Sequence, residues 1–423
     1  MKKATDSYDV VVIGGGPAGS TVAALVAREG HRVLLADRET FPRFRIGESL
    51  MPATYWTFER LGVLDRLKSS HFPRKASVQF FSGSGRSSVP FYFSEVEKGD
   101  SALTWQVDRA EFDELLLDNA KESGAEILLG VNVRDVILEG GRAAGVRVEL
   151  PDGDRRRIDA RVVVDASGQS SVLARKFDLR TIDPKLHHSA IYSRYGGAVR
   201  DEGIDEGATL IFWTAEHKSW FWFIPLPGNV VSVGVVGPVE YLIRGRGADP
   251  QAVLDEELDR CSALQERLKP ARRLEEARVI RDFSYISKRI AGDGWVLAGD
   301  AFGFLDPVYS TGVFFALTSG ELAADSILQA FEKHDLSAAA LGAHGDRYLA
   351  GMEAMRRLVY AYYDRDFSFP KFLQRFPDCR DALVNLLIGN VFRRPVEGLF
   401  ESMAEMYDLP EPRRLQPPDE KPA

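Results

Sequence analysis

Residues 8–13 read Tyr-Asp-Val-Val-Val-Ile, a short run that is apolar and β-branched. A continuous run of this kind predicts a strand buried on both faces, as in a parallel sheet. The glycine-rich stretch GGGPAGS at 14–20 then predicts a turn into a helix over 17–28, and Arg32–Ala36, ending at Asp37, predicts the next strand. Runs of the same kind recur at Arg161–Asp165 and Gly294–Ala298. Between them the pattern changes. Segments 77–81, 209–214, 220–225 and 230–236 alternate or are densely aromatic, which predicts a second, mainly antiparallel sheet. From about Asp335 the pattern becomes helical and aromatic, as in YAYYDRDFSFPKFL at 360–373. The expected organisation is α/β. A discontinuous first domain takes 1–75, 100–180 and 285–330, and the second sheet takes 76–99 and 181–284. A helical region spans 331–410, and a proline- and charge-rich tail at 411–423 is expected to be disordered.

Composition narrows the class. At 423 residues the chain exceeds the usual size of one core, and 45% hydrophobic with 27% charged residues is ordinary for a soluble enzyme. A net charge of −8 argues against a general nucleic-acid partner, because phosphate binding favours basic surfaces. Cys261 and Cys379 are far apart and lack metal-ligand spacing, so neither a disulfide framework nor a metal site is expected. The start MKKATDSYDVVVIG runs straight into a strand, unlike a signal peptide, and no window reaches the roughly 20 apolar residues of a membrane helix. A cytoplasmic protein without a membrane partner is expected.

The strand–turn–helix–strand context gives the glycines chemical meaning. Gly14, Gly16 and Gly19 form G-x-G-x-x-G. The first permits the tight turn, the second lets the backbone approach a pyrophosphate, and the third lets helix and strand pack closely. The phosphates would sit at the positive end of the helix, and Asp37, about 20 residues on, can accept from an adenosine ribose. Ala18 within the loop and Arg38 beside Asp37 join the candidate nucleotide contacts.

Three segments together carry a family resemblance. GGGPAGS, DASGQSS at 165–171 and AGDAFGFLDP at 298–307 resemble the flavin-contacting segments of FAD-dependent monooxygenases. That resemblance implies a Rossmann-like FAD domain of the p-hydroxybenzoate-hydroxylase-like type, with an antiparallel substrate sheet and a C-terminal helical extension. It implies that Asp300 binds the ribityl chain, and Arg45 and Ser49, in RIGESL, lie near the cofactor. It also implies that Arg109 helps to hold FAD; a salt bridge to Asp113, four residues on, is the structural alternative.

Three further features resemble flavin-dependent halogenases of the branch acting on phenols or pyrroles. Trp220, Trp222, Ile224 and Pro225 match W-x-W-x-I-P, Lys75 falls where those enzymes carry their essential lysine, and DPVYSTGV at 306–313 resembles their halide loop. Read alone, each has a plainer meaning: a buried strand, a solvated lysine, and a turn starting a helix. In the halogenase frame, Ser310, Thr311 and Gly312 would hold chloride or bromide, with Pro307, Gly312 and Val313 against the flavin. Hypohalous acid made at reduced FAD would pass to Lys75, as a hydrogen-bonded acid or as a haloamine, and on to an electron-rich ring. The tryptophans would keep the substrate away from the flavin.

Tryptophan-specific members carry a glutamate before the serine of that loop, and this chain has Tyr309 there, which points to more activated rings. The resemblance further implies a separate flavin reductase as partner, and an aromatic substrate that is free or tethered to a carrier protein. A hydroxylase or a geranylgeranyl-type reductase of the same superfamily is the alternative.

Overall fold

The computed structural model describes residues 7–417 apart from Ala248, Arg365, Pro395 and Glu397. Its first sheet has a parallel core in the order Trp295–Leu297, Arg155–Asp165, Ser7–Ile13, Val33–Asp37 and Glu126–Leu129. The valines at 10–12 and 162–164 are buried, as a strand covered on both faces requires. A hairpin, Asn132–Glu139 with Arg142–Glu149, extends the sheet antiparallel from Arg155–Asp159. Helix Pro17–Arg28 follows the glycine turn, and the long helix Thr311–Glu332 packs against it.

The second sheet runs in the order Arg272–Arg273, His188–Gly196, Val230–Pro238, Trp220–Leu226, Thr209–Trp213, Ser77–Phe81 and Phe91–Tyr92. All its pairings are antiparallel except that of Ser77–Phe81 with Thr209–Trp213, which is parallel.

Strand periodicity divides the aromatic block WFWF. Phe221 and Phe223 join Phe212, Leu210, Val231 and Val233 in a core of their own on one face of the sheet. Trp220, Trp222 and Ile224 face the other way, into a cavity between the sheets. Trp222 pairs across the strands with Gly234, and its ring occupies the space of the missing side chain: a Cβ there would stand 2.3 Å from the indole Cζ2. Gly234→Ala is therefore expected to displace the ring and cost about 1–3 kcal/mol, read as a lower urea midpoint.

Helix Gly345–Tyr363 is largely buried, and the last described stretch of chain lies against it: Arg356 Nη2 donates to Glu411 O at 2.7 Å. Residues 411–417, assigned by composition to a disordered tail, are held in place: Arg413 Nη2 donates to Asp183 Oδ2 at 2.6 Å and Gln416 N to Lys288 O at 2.8 Å. Asp183 is buried, so a charged partner outweighs the prolines' preference for open chain. Residues 418–423 of that expected tail lie outside the described residues. No helix among the described residues is long and apolar enough to cross a membrane.

Candidate active site

A cavity of about 550 Å³ takes its walls from both sheets, the glycine turn and the start of helix Thr311–Glu332. At the turn, Gly14 has φ +103°, and a Cβ on it would stand 2.4 Å from the Ala166 carbonyl oxygen, so only glycine fits. Gly16 is different. It has ordinary extended φ, and its nearest neighbour to a built Cβ is Arg43 Nη2 at 3.7 Å; it faces the cavity.

The residues fit FAD. The N–H groups at the start of helix Pro17–Arg28 open on the cavity, and the Arg43 guanidinium lies over them with its buried Nε lacking any hydrogen-bond partner. Burial pulls Arg43 below its usual range, against the pull of Asp113 at 2.9 Å, and an anion at the turn would relieve that. Asp37 ends its strand on the cavity wall, accepting from Gly15 N at 2.7 Å through one oxygen and from Glu39 N at 2.8 Å through the other. Burial pushes the Asp300 carboxyl up to about 7, against the opposing pull of Arg109, so it can stand as a donor to a hydroxylated chain. Arg109 both lines the cavity and forms the bidentate pair with Asp113, at 2.8 and 3.0 Å; its two readings coexist.

At the other side of the cavity, Ser310 adopts left-handed backbone (φ 58°) and starts helix Thr311–Glu332 without a side-chain cap. The first helical N–H groups are thus free for an anion, and the buried Thr311 hydroxyl has no partner. The same loop is tied to the tryptophan wall. Trp220 Nε1 donates to Tyr363 Oη at 2.7 Å, and Tyr363 donates to Asp306 Oδ2 at 2.9 Å, beside His188 Nδ1 at 3.0 Å. Tyr309 is buried, with its ring edge-on to Tyr362. Asp306, three residues earlier, is the loop's fully buried acid.

Lys75 is 2% exposed on a short strand paired with Thr104–Trp105. Its Nζ donates to Ser49 Oγ at 2.8 Å and to Leu50 O at 3.0 Å, and lies 5.5 Å from the Phe93 ring centre. Burial pulls the ammonium down to about 7.

The cavity thus brings together Gly14, Gly16, Ala18, Asp37, Arg38, Arg45, Ser49, Arg109, Trp220, Trp222, Ile224, Asp300, Pro307, Ser310, Gly312 and Val313. Four sequence candidates stand off its wall: Gly19, Lys75, Pro225 and Thr311. Gly19 packs on Gly14, where a Cβ would meet the carbonyl oxygen at 1.9 Å. Pro225 alternates away from the cavity with Phe221 and Phe223, which corrects its place in the expected partition. Ser49, expected at the cofactor, bonds Lys75. Sequence reasoning missed Arg43 and Thr209. Arg43 lies between Pro42 and Arg45 with no motif of its own, and Thr209 shares a face with Ile211 and Trp213 only once strand register is known.

The fold and cavity define a class, an FAD-binding oxidoreductase with two tryptophans lining its cavity. Residues 9–176 match the FAD dependent oxidoreductase family and residues 95–369 the Tryptophan halogenase family. A pyrrole-2-carbonyl peptidyl-carrier-protein chlorinase of Pseudomonas fluorescens is 30% identical over 420 residues, covering 94% of this chain and 93% of that protein. The corresponding brominase of Pseudoalteromonas luteoviolacea is 33% identical over 410 residues, covering 95% and 97%. Among solved structures, the flavin-dependent brominase Bmp2 matches with a TM-score of 0.83 at 31% identity, covering 94% of this chain and 98% of that one. The chain belongs to the flavin-dependent halogenase family. It is an FADH2-, oxygen- and halide-dependent enzyme acting on an electron-rich aromatic ring, which sets aside the hydroxylase and reductase alternatives.

Proposed function

We propose that this halogenase acts on a pyrrole ring carried as a carbonyl thioester on a carrier protein, with Lys75 directing the hypohalous acid. The observation that carries the reading is the shared cavity. It runs past Asp300, the Ser310–Gly312 turn, Trp220 and Trp222, and reaches Ser49, the hydroxyl bonded to Lys75. Both long relatives named above act on pyrrole-2-carbonyl carrier proteins, and Tyr309 where tryptophan-specific members carry glutamate suits so activated a ring.

Bound reduced FAD, with oxygen and halide, supplies the hypohalous acid. The chain's own residues do the rest. The first N–H groups of helix Thr311–Glu332 hold the halide, Trp220 and Trp222 keep the ring from the flavin, and Lys75 fixes where the electrophile is delivered. The single dinucleotide fingerprint supports a separate reductase as the source of FADH2.

The test supplies FADH2, oxygen and chloride or bromide with pyrrolyl-carrier protein, free pyrrole-2-carboxylate and simple phenols. Halogenated pyrrole on the carrier, at a rate well above the free acids, is expected. Preferential turnover of a free phenol would replace the tethered pyrrole as substrate.

A further inference from the structure

Lys75 is one hydroxyl short of the cavity. Ser49 and Thr209 line it and Lys75 does not. The three form a chain with a defined end. Lys75 Nζ is 2.8 Å from Ser49 Oγ, Ser49 Oγ is 2.9 Å from Thr209 Oγ1, and Gln106 Nε2 donates to Thr209 Oγ1 at 2.8 Å. The same Gln106 nitrogen donates to the Gly207 carbonyl at 2.8 Å, so its amide must present N–H here and Thr209 must accept.

Two proton arrangements let that chain carry a proton between Lys75 and the cavity. With Lys75 charged, it donates to Ser49, Ser49 donates to Thr209, and the Thr209 O–H is left over for the cavity. With Lys75 neutral, Thr209 turns to donate to Ser49, and Ser49 donates to the lysine lone pair. The two differ by one proton delivered at Thr209.

We propose that Ser49 and Thr209 are the relay through which Lys75 acts, with the Thr209 hydroxyl as the catalytic group that protonates the oxygen of the hypohalous acid. The carbon–halogen bond forms as the halogen–oxygen bond breaks, and the bonding pair stays on oxygen. That oxygen takes the Thr209 proton and leaves as water. The Ser49 proton moves to Thr209 and the Lys75 proton to Ser49. The ring carbon then releases its proton to solvent, and Lys75 regains one from solvent, so the net change is replacement of ring hydrogen by halogen with one water formed.

A lysine pulled down to about 7 by burial has both states within reach. The charged groups on neighbouring elements are turned elsewhere. Glu48 pairs with Arg194 at 2.8 Å, Asp205 accepts from Ser77 and Tyr92, and Arg74 donates to the Lys68 carbonyl.

The proposal rests on Lys75 being essential, and the test separates the two claims. Thr209→Val keeps the shape and removes the hydroxyl. We expect kcat to fall about 100-fold, with FAD affinity and halide KM unchanged and Thr209→Ser restoring the rate to within a few-fold. A second readout needs no turnover: the Lys75 pKa in the FAD-free protein, from labelled-lysine NMR assigned with Lys75→Met. It should drop in Thr209→Val, because the charged arrangement loses the acceptor for Ser49. Ser49→Ala, expected to cost kcat likewise, serves if Thr209→Val does not fold. Wild-type kcat in Thr209→Val beside an inactive Lys75→Met would overturn the relay alone. So would a lower kcat with an unmoved lysine pKa, or one that serine does not rescue. An active Lys75→Met would remove the parent reading as well.

Discussion

Lys75→Met is expected to lower halogenation by about 1000-fold or more, with FAD still bound, and at the same time to stabilise the fold. The first effect follows from chemistry: methionine has no N–H to give and no basic atom to take a proton. The second follows from burial. The lysine titrates near 7 in the folded chain against 10.5 in the open one, and desolvation is the cause. Between those values the unfolded chain binds a proton that the folded chain does not, so wild-type stability rises with pH across that window. The burden is complete below about pH 7 and gone above 10.5.

Methionine removes it, at the cost of leaving Ser49 and the Leu50 carbonyl without the lysine N–H. Melting temperatures should therefore place Lys75→Met above wild type at pH 6, with the gap closing towards pH 10. Halogenation that survives the substitution would end the lysine's catalytic role, and a pH-independent gap would end the account of its burial.

Much of the fold was legible because its signals are local. Apolar β-branched runs at 8–13 and 161–165 need no partner to be read as buried strands, and the glycines at 14, 16 and 19 announce their turn by spacing. The aromatic block was legible as a strand, but not as two faces. Alternation sends Trp220, Trp222 and Ile224 one way and Phe221, Phe223 and Pro225 the other, and only register says which face meets the cavity. Contacts between residues far apart in sequence were not legible. Nothing near Ser49 announces Lys75, 26 residues on, or Thr209, 160 residues on. The same holds for Trp220 and Tyr363, which are 143 residues apart. The segment 411–417 misled because composition reports what a chain does without partners, and Asp183 supplies one.

Gly16→Val is expected to leave the fold standing and to weaken FAD binding by at least about 100-fold, some 2.7 kcal/mol. Gly14 and Gly16 make the contrast. At Gly14 a side chain would strike the Ala166 carbonyl and need φ +103°, so any substitution there damages the protein whether or not a ligand binds. At Gly16 the backbone sits at φ −75° and ψ −176°, where valine is comfortable, and the nearest atom to a Cβ is the Arg43 guanidinium at 3.7 Å. The protein by itself therefore does not require glycine at this position. What requires it is a ligand whose pyrophosphate comes against the backbone N–H groups at the helix start, in the space the valine methyls would fill. Without FAD the two proteins should melt within a few degrees of each other. Added FAD should raise the wild-type melting temperature, since a ligand that binds only the folded state stabilises it in proportion to the logarithm of its concentration, and should leave the valine variant unmoved. A variant that keeps full FAD affinity would place the pyrophosphate somewhere other than this turn. One that unfolds without ligand would show that Gly16 serves the fold after all.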